Sequence, residues 1–90
     1  MIYDLDFTDK AKKDIAVLKK SEKAVFRKVE KLLTELILHP FTGTGKPEPL
    51  KYLPGVWSRR ITQKHRLVYK INNNKIIVIV LSAKNHYDNK

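Results

Sequence analysis

The sequence has no cysteine, which excludes a disulfide frame, a thiolate nucleophile and a Cys-based metal site. Acidic side chains are scarce: nine Asp and Glu stand against nineteen Lys and Arg, a formal charge of +10 on 90 residues. That imbalance runs along the whole chain and directs it toward a polyanion or an acidic protein partner. No apolar run approaches the roughly eighteen residues of a membrane span, and MIYDLDFTDK lacks the basic and apolar regions of a signal peptide. The chain is therefore expected to be soluble and cytoplasmic, with no membrane partner. Repeats, low-complexity tracts and linker-like shifts in composition are also missing, so residues 1–90 are expected to form one domain.

The elements can be read in order. Tyr3, Leu5 and Phe7 alternate with Asp4 and Asp6, the period of a half-buried strand over residues 2–7. Thr8 offers a helix N-cap, and Ala11, Ile15 and Leu18 form the apolar stripe of a helix running to about Lys19. Ser21 is positioned to cap a second helix after a link of about three residues. Val25, Val29, Leu32, Leu33 and Leu36 line one face of that helix, and Pro40 ends it near Leu38. Residues 41–47 read as a loop, and strands are expected over 49–53, 56–62, 65–72 and 76–81, the last as the central one. The Asn73-Asn74 pair suits a tight hairpin. These elements predict an α+β fold with an N-terminal strand and an antiparallel helical hairpin packed on a twisted, mostly antiparallel sheet.

The stretch Gly45–Tyr69 concentrates the chemistry. Glu48 is its single acid, surrounded in sequence by Lys46, Lys51, Arg59, Arg60, Lys64, His65 and Arg66. One carboxylate among so many cations suggests an anionic partner and an acid/base site, although a basic solvated strand, with Glu48 paired to Lys46 or Lys51, would read the same way. If Ile61 pairs with Arg66 across a Gln63-Lys64 turn, Arg59 and Arg66 face the open side, while Arg60 does so only through a bulge. Trp57 and His65 read as packing residues, and a tail histidine such as His86 is ordinarily just solvated.

GKPEPLK, followed by WSRRITxxHRLVY and a near-terminal His86-Tyr87, closely resembles the Txe/YoeB branch of the RelE/ParE-type bacterial toxins. The resemblance spans the chain and is specific in residues 40–69 and at His86-Tyr87. It implies the toxin of a type II toxin–antitoxin pair, a small endoribonuclease that cuts mRNA in the ribosomal A site without a metal or other cofactor. It also implies ribosomal RNA as a second contact and an acidic YefM/Axe-like antitoxin as partner, and it leaves a homodimer open. Matched residue by residue, it assigns Glu48 as general base, Arg66 as the phosphate-stabilising cation, His86 as general acid and Tyr87 as the aromatic that orients the nucleotide. Lys51, Arg59 and Arg60 match cations that grip the RNA backbone. Two departures stand out: three residues follow Tyr87, and Lys84 replaces a usual arginine. A carboxylate held among cations is a weak base, so the reversed assignment with His86 as base stays open. The alternative is a non-catalytic nucleic-acid- or gyrase-binding toxin of the same fold, which would need the cations but not the acid/base pair.

Overall fold

The computed structural model describes residues 2–51 and 53–81. The elements are β1 (Asp4–Phe7), α1 (Asp9–Ser21), α2 (Lys23–Leu38), β2 (Glu48–Pro49), β3 (Val56–Arg60), β4 (Arg66–Asn72) and β5 (Lys75–Val80). Among the described residues five strands form one sheet in the order β1-β5-β4-β3-β2. All neighbours are antiparallel except β1 and β5, which run parallel. An α+β fold with a helical hairpin on a mostly antiparallel sheet is thus what the chain forms. Both helices lie on one face: Leu18, Val29, Leu32 and Leu36 pack with Leu67, Tyr69, Ile76 and Val78 in one buried cluster.

The N-terminal half follows its apolar period. Thr8 caps α1 as expected, its Oγ1 accepting from the Ala11 N–H at 3.0 Å and donating to the Ile79 carbonyl at 2.6 Å. The link between the helices is shorter than expected. Ser21 is the last residue of α1 and caps nothing; Glu22 alone separates the helices, with no side-chain cap on α2. Its N–H closes α1 on the Leu18 carbonyl and its own carbonyl accepts from Phe26 N–H, so one extended residue serves both helix ends.

The strands depart from expectation in three places. β2 has two residues, not five, because Pro49 has no N–H for a ladder and Leu50 turns the chain back through Leu50 N–H to Val56 O at 2.8 Å. β5 is flanked by β1 and β4, so it is interior, but β4 is the middle strand. The largest difference is the register of β3 and β4. Arg60 lies opposite Arg66, and Ile61 instead bonds the His65 carbonyl through its N–H at 2.9 Å. The Thr62 hydroxyl accepts from the Lys64 and His65 N–H groups and closes the turn. A slip of one residue exchanges the two faces. Arg59 and Ile61 therefore join Leu67 and Tyr69 under the helices, while Ser58, Arg60, Arg66 and Val68 face the open side.

Candidate active site

The open side carries the cleft. Glu48 on β2 stands opposite Ser58 on β3, and Arg60 on β3 stands opposite Arg66 on β4. Gly45, Lys46, Glu48, Arg60 and Arg66 line a cavity of about 200 Å³. Arg66 is half-buried and donates from Nη1 to Ser58 Oγ at 3.2 Å. Two arginines directly opposite one another repel, and a folded chain that keeps them together with Lys46 around one carboxylate has built a concentrated positive field. Among the described residues Glu48 forms no ion pair within 4.0 Å, with Lys46, Lys51 or any other cation.

The loop before β2 delivers Lys46 and Glu48. Gly45 has a φ of 85°, and a Cβ there would meet the Arg60 carbonyl oxygen at 2.6 Å, so only glycine fits. Its own carbonyl accepts from Arg60 N–H at 2.8 Å. Lys46 follows with a φ of 48°, swinging the chain into the cleft.

Arg59, matched on sequence to an RNA-gripping cation, is fully buried on the helix side and is removed from that set. Its Nη1 donates to Glu35 Oε1 at 2.7 Å, and its Nη2 donates to the carbonyls of His39 at 2.6 Å and Thr42 at 2.9 Å. The same carboxylate accepts from Thr44 N–H at 2.7 Å and Thr44 Oγ1 at 2.9 Å. Burial pushes the Glu35 carboxyl up, but the Thr44 amide and hydroxyl and the Arg59 guanidinium more than offset this and hold its pKa below the ordinary 4.5. Burial raises the Tyr69 phenol, against the pull of Arg59, and Tyr69 OH donates to the Pro40 carbonyl at 2.7 Å.

In the sequence nothing sets Glu35 apart from the other charged residues of α2. The signal that could have found it is the parity of β3: an arginine turned inward requires a carboxylate within the fold. A folded-state pKa below the unfolded value means that the Glu35 interactions stabilise the protein above about pH 4.5 and are lost as pH falls through the folded value. The melting temperature of the wild type should therefore converge on that of Glu35→Gln as pH is lowered from 7 to 3. A gap between the two that stays constant across this range would contradict the linkage.

The remaining sequence candidates separate cleanly. Lys51 is exposed but does not line the cleft, and Lys64 lies in the β3–β4 turn. Trp57 meets Phe41 edge-on at 5.0 Å and packs against the helix-side core, a structural position. His65 is held by Thr62 Oγ1, 3.0 Å from Nδ1, with Glu22 3.9 Å from Nε2. His86 and Tyr87 lie outside the described residues. A larger groove of about 870 Å³ follows α2 past Arg27, Lys28 and Lys31, but the single carboxylate on its wall is Glu35, already bonded to Arg59.

A carboxylate and three cations thus converge on the side of the sheet away from the helical hairpin, in a small, strongly basic α+β protein. A family profile described as "YoeB-like toxin of bacterial type II toxin-antitoxin system" matches residues 7–87. Toxin YoeB of Streptomyces coelicolor is 38% identical over 84 residues, covering 92% of this chain and 98% of that protein. The YoeB dimer from Staphylococcus aureus superposes with a TM-score of 0.82 at 34% identity, covering 97% of this chain and 100% of its own. The YoeB–YefM complex from the same organism gives a TM-score of 0.82 at 31% identity, covering 94% and 100%. The chain belongs to the YoeB-like toxins of bacterial type II toxin–antitoxin systems.

Proposed function

We propose that this toxin is an endoribonuclease that cuts mRNA in the A site of translating ribosomes and so inhibits translation in the bacterial cytoplasm. The observation that carries the reading is the cleft in which Glu48 faces Lys46, Arg60 and Arg66. Cleavage needs an acceptor for the 2'-hydroxyl proton, a donor for the departing 5'-oxygen, and positive charge where the phosphorane oxygens become anionic. Glu48 takes the proton as the 2'-oxygen attacks phosphorus. Arg66 stabilises the non-bridging oxygens. The P–O5' bond breaks as His86 gives its proton to the 5'-oxygen, leaving a 2',3'-cyclic phosphate and a 5'-hydroxyl. Tyr87 orients the nucleotide, and Lys51 and Arg60 hold the RNA backbone; Lys46 adds to the same field. No step is routed through a metal ion or other cofactor.

An acidic antitoxin of the YefM kind is the expected partner, supported by the charge of +10 and by the Staphylococcus aureus YoeB–YefM complex. A homodimer is supported by the YoeB dimer of the same organism. Primer extension on an mRNA after induced expression should show frame-dependent cuts with the wild type and none with Glu48→Gln. His86→Gln should be slow on normal RNA and partly rescued when sulfur replaces the 5'-oxygen, because a thiolate leaves without a proton. Equal slowness on both substrates would reverse the roles of Glu48 and His86. RNA bound but uncut by the wild type on ribosomes would favour the binding-only alternative.

A further inference from the structure

Two strand residues are a weak way to hold a catalytic carboxylate. β2 consists of Glu48 and Pro49, and Pro49 has no N–H to donate. What precedes it is better fixed. The loop from His39 to Gly45 wraps the Arg59 guanidinium: two of its carbonyls accept from Nη2, and Thr44 donates twice to the carboxylate that Nη1 also bonds. Gly43 sits so close that a Cβ would come within 2.4 Å of Glu35 Oε1. Arg59 Nε is buried without a hydrogen-bond partner among the described residues. Burying a charge this way is an inefficient route to stability, since an apolar side chain of similar volume often does as well. A planar guanidinium does something an apolar side chain cannot, fixing three acceptors in one plane.

We infer that the Arg59–Glu35 pair is the positioning device of the cleft: it pins the Pro40–Lys46 loop so that Lys46 and Glu48 are held against Arg60 and Arg66. The inference rests on the nuclease reading for its catalytic consequence, though not for its structural one. The pin and the cleft share a strand, with Arg59 turned inward and Arg60 outward, and the Gly45 carbonyl bonds the N–H of Arg60 itself. Loss of the pin frees the loop at Thr44, two residues before Lys46.

The test uses full-length protein carrying Glu35→Gln or Arg59→Lys, with Val29→Ala as a control that weakens the core away from the loop. Two readouts are taken at a temperature where all are folded: amide hydrogen exchange and NMR shifts at Thr44, Gly45, Lys46 and Glu48, and single-turnover cleavage on ribosome-bound mRNA. Glu35→Gln and Arg59→Lys should raise Thr44 amide exchange at least about tenfold, shift the Lys46 and Glu48 resonances, and lower kcat at least about tenfold with KM changed less than about threefold. Val29→Ala should lower the melting temperature and leave both readouts unchanged. Retained Thr44 protection and unshifted Lys46 and Glu48 resonances in both variants would overturn the inference, as would a freed loop with wild-type kcat. Should Arg59→Lys not fold, Glu35→Gln and Thr44→Val decide, the latter with a smaller effect in the same direction. A wild-type protein that cuts no RNA would fell the nuclease reading alone, because exchange and shifts still report whether the pair holds the cleft.

Discussion

Arg66→Ala is expected to slow RNA cleavage by at least about 10²-fold while leaving the melting temperature within a few degrees of the wild type. Arg66 opens β4, is half-buried, and shares the cleft with Glu48; in the proposed reaction its guanidinium stabilises the charge that develops as the 2'-oxygen attacks. Fixed cationic donors at that point act on the transition state more than on bound substrate, and the loss should fall on kcat with KM little changed. The fold has less to lose. Arg66 lies directly across from Arg60, so removing one of two like charges relieves repulsion, set against the loss of interactions that include the hydrogen bond to Ser58 Oγ. Arg66→Lys should recover only part of the rate, because an ammonium cannot present two parallel donors to phosphate oxygens. Single-turnover cleavage by the folded variants checks this, and a rate within about threefold of wild type for Arg66→Ala would remove Arg66 from the mechanism.

Its neighbour in the turn-linked strand should behave in the opposite sense. Arg59→Met is expected to destabilise the protein by about 2 to 4 kcal/mol, less than for a fully buried pair because the carboxylate left behind, Glu35, is partly exposed. Against a total stability of about 5 to 10 kcal/mol for a chain of this size, that is a large fraction and should lower the melting temperature by about ten degrees or more. The cost arises on the partner side: the His39 and Thr42 carbonyls lose their donor, and Glu35 keeps only Thr44. Adding Glu35→Leu to Arg59→Met should cost less than the sum of the two single changes, since the pair acts as a unit. Denaturant unfolding of the four proteins measures the coupling. Additive losses would mean that Arg59 stabilises the fold through its alkyl chain alone.

These adjacent arginines show where sequence reading succeeded and where it stopped. The helices were legible because apolar residues recur at the helical period: Ala11, Leu18, Val29, Leu32 and Leu36 are the buried ones, as their spacing implies. Lys46 and Glu48 were legible as neighbours of a site because they are local in sequence and the loop that carries them is marked by glycine and proline. Strand parity was not legible in the same way. It depends on how many residues the β3–β4 turn consumes, and the Thr62 hydroxyl, bonding the Lys64 and His65 amides, draws Ile61 into the turn. One residue of turn length then decided which arginine met the ligand side and which met Glu35, 24 residues back along the chain. The acid and aromatic assigned to His86 and Tyr87 rest on the family resemblance.

The parallel pairing of β1 with β5 bears on the order in which the toxin assembles. The Thr8 hydroxyl bonds the Ile79 carbonyl across a separation of 71 residues, and Asp4 through Phe7 find their partners only at Lys75 through Val78. The helical hairpin and the β3–β4–β5 meander close short loops and can form early, whereas a closure of that length is entropically late. During synthesis the cleft residues from Gly45 to Arg66 emerge before β5 does, so their hairpin can be in place while one edge of β5 still lacks its neighbour. β1, made before the other described strands, is on this topology expected to be the last to be paired.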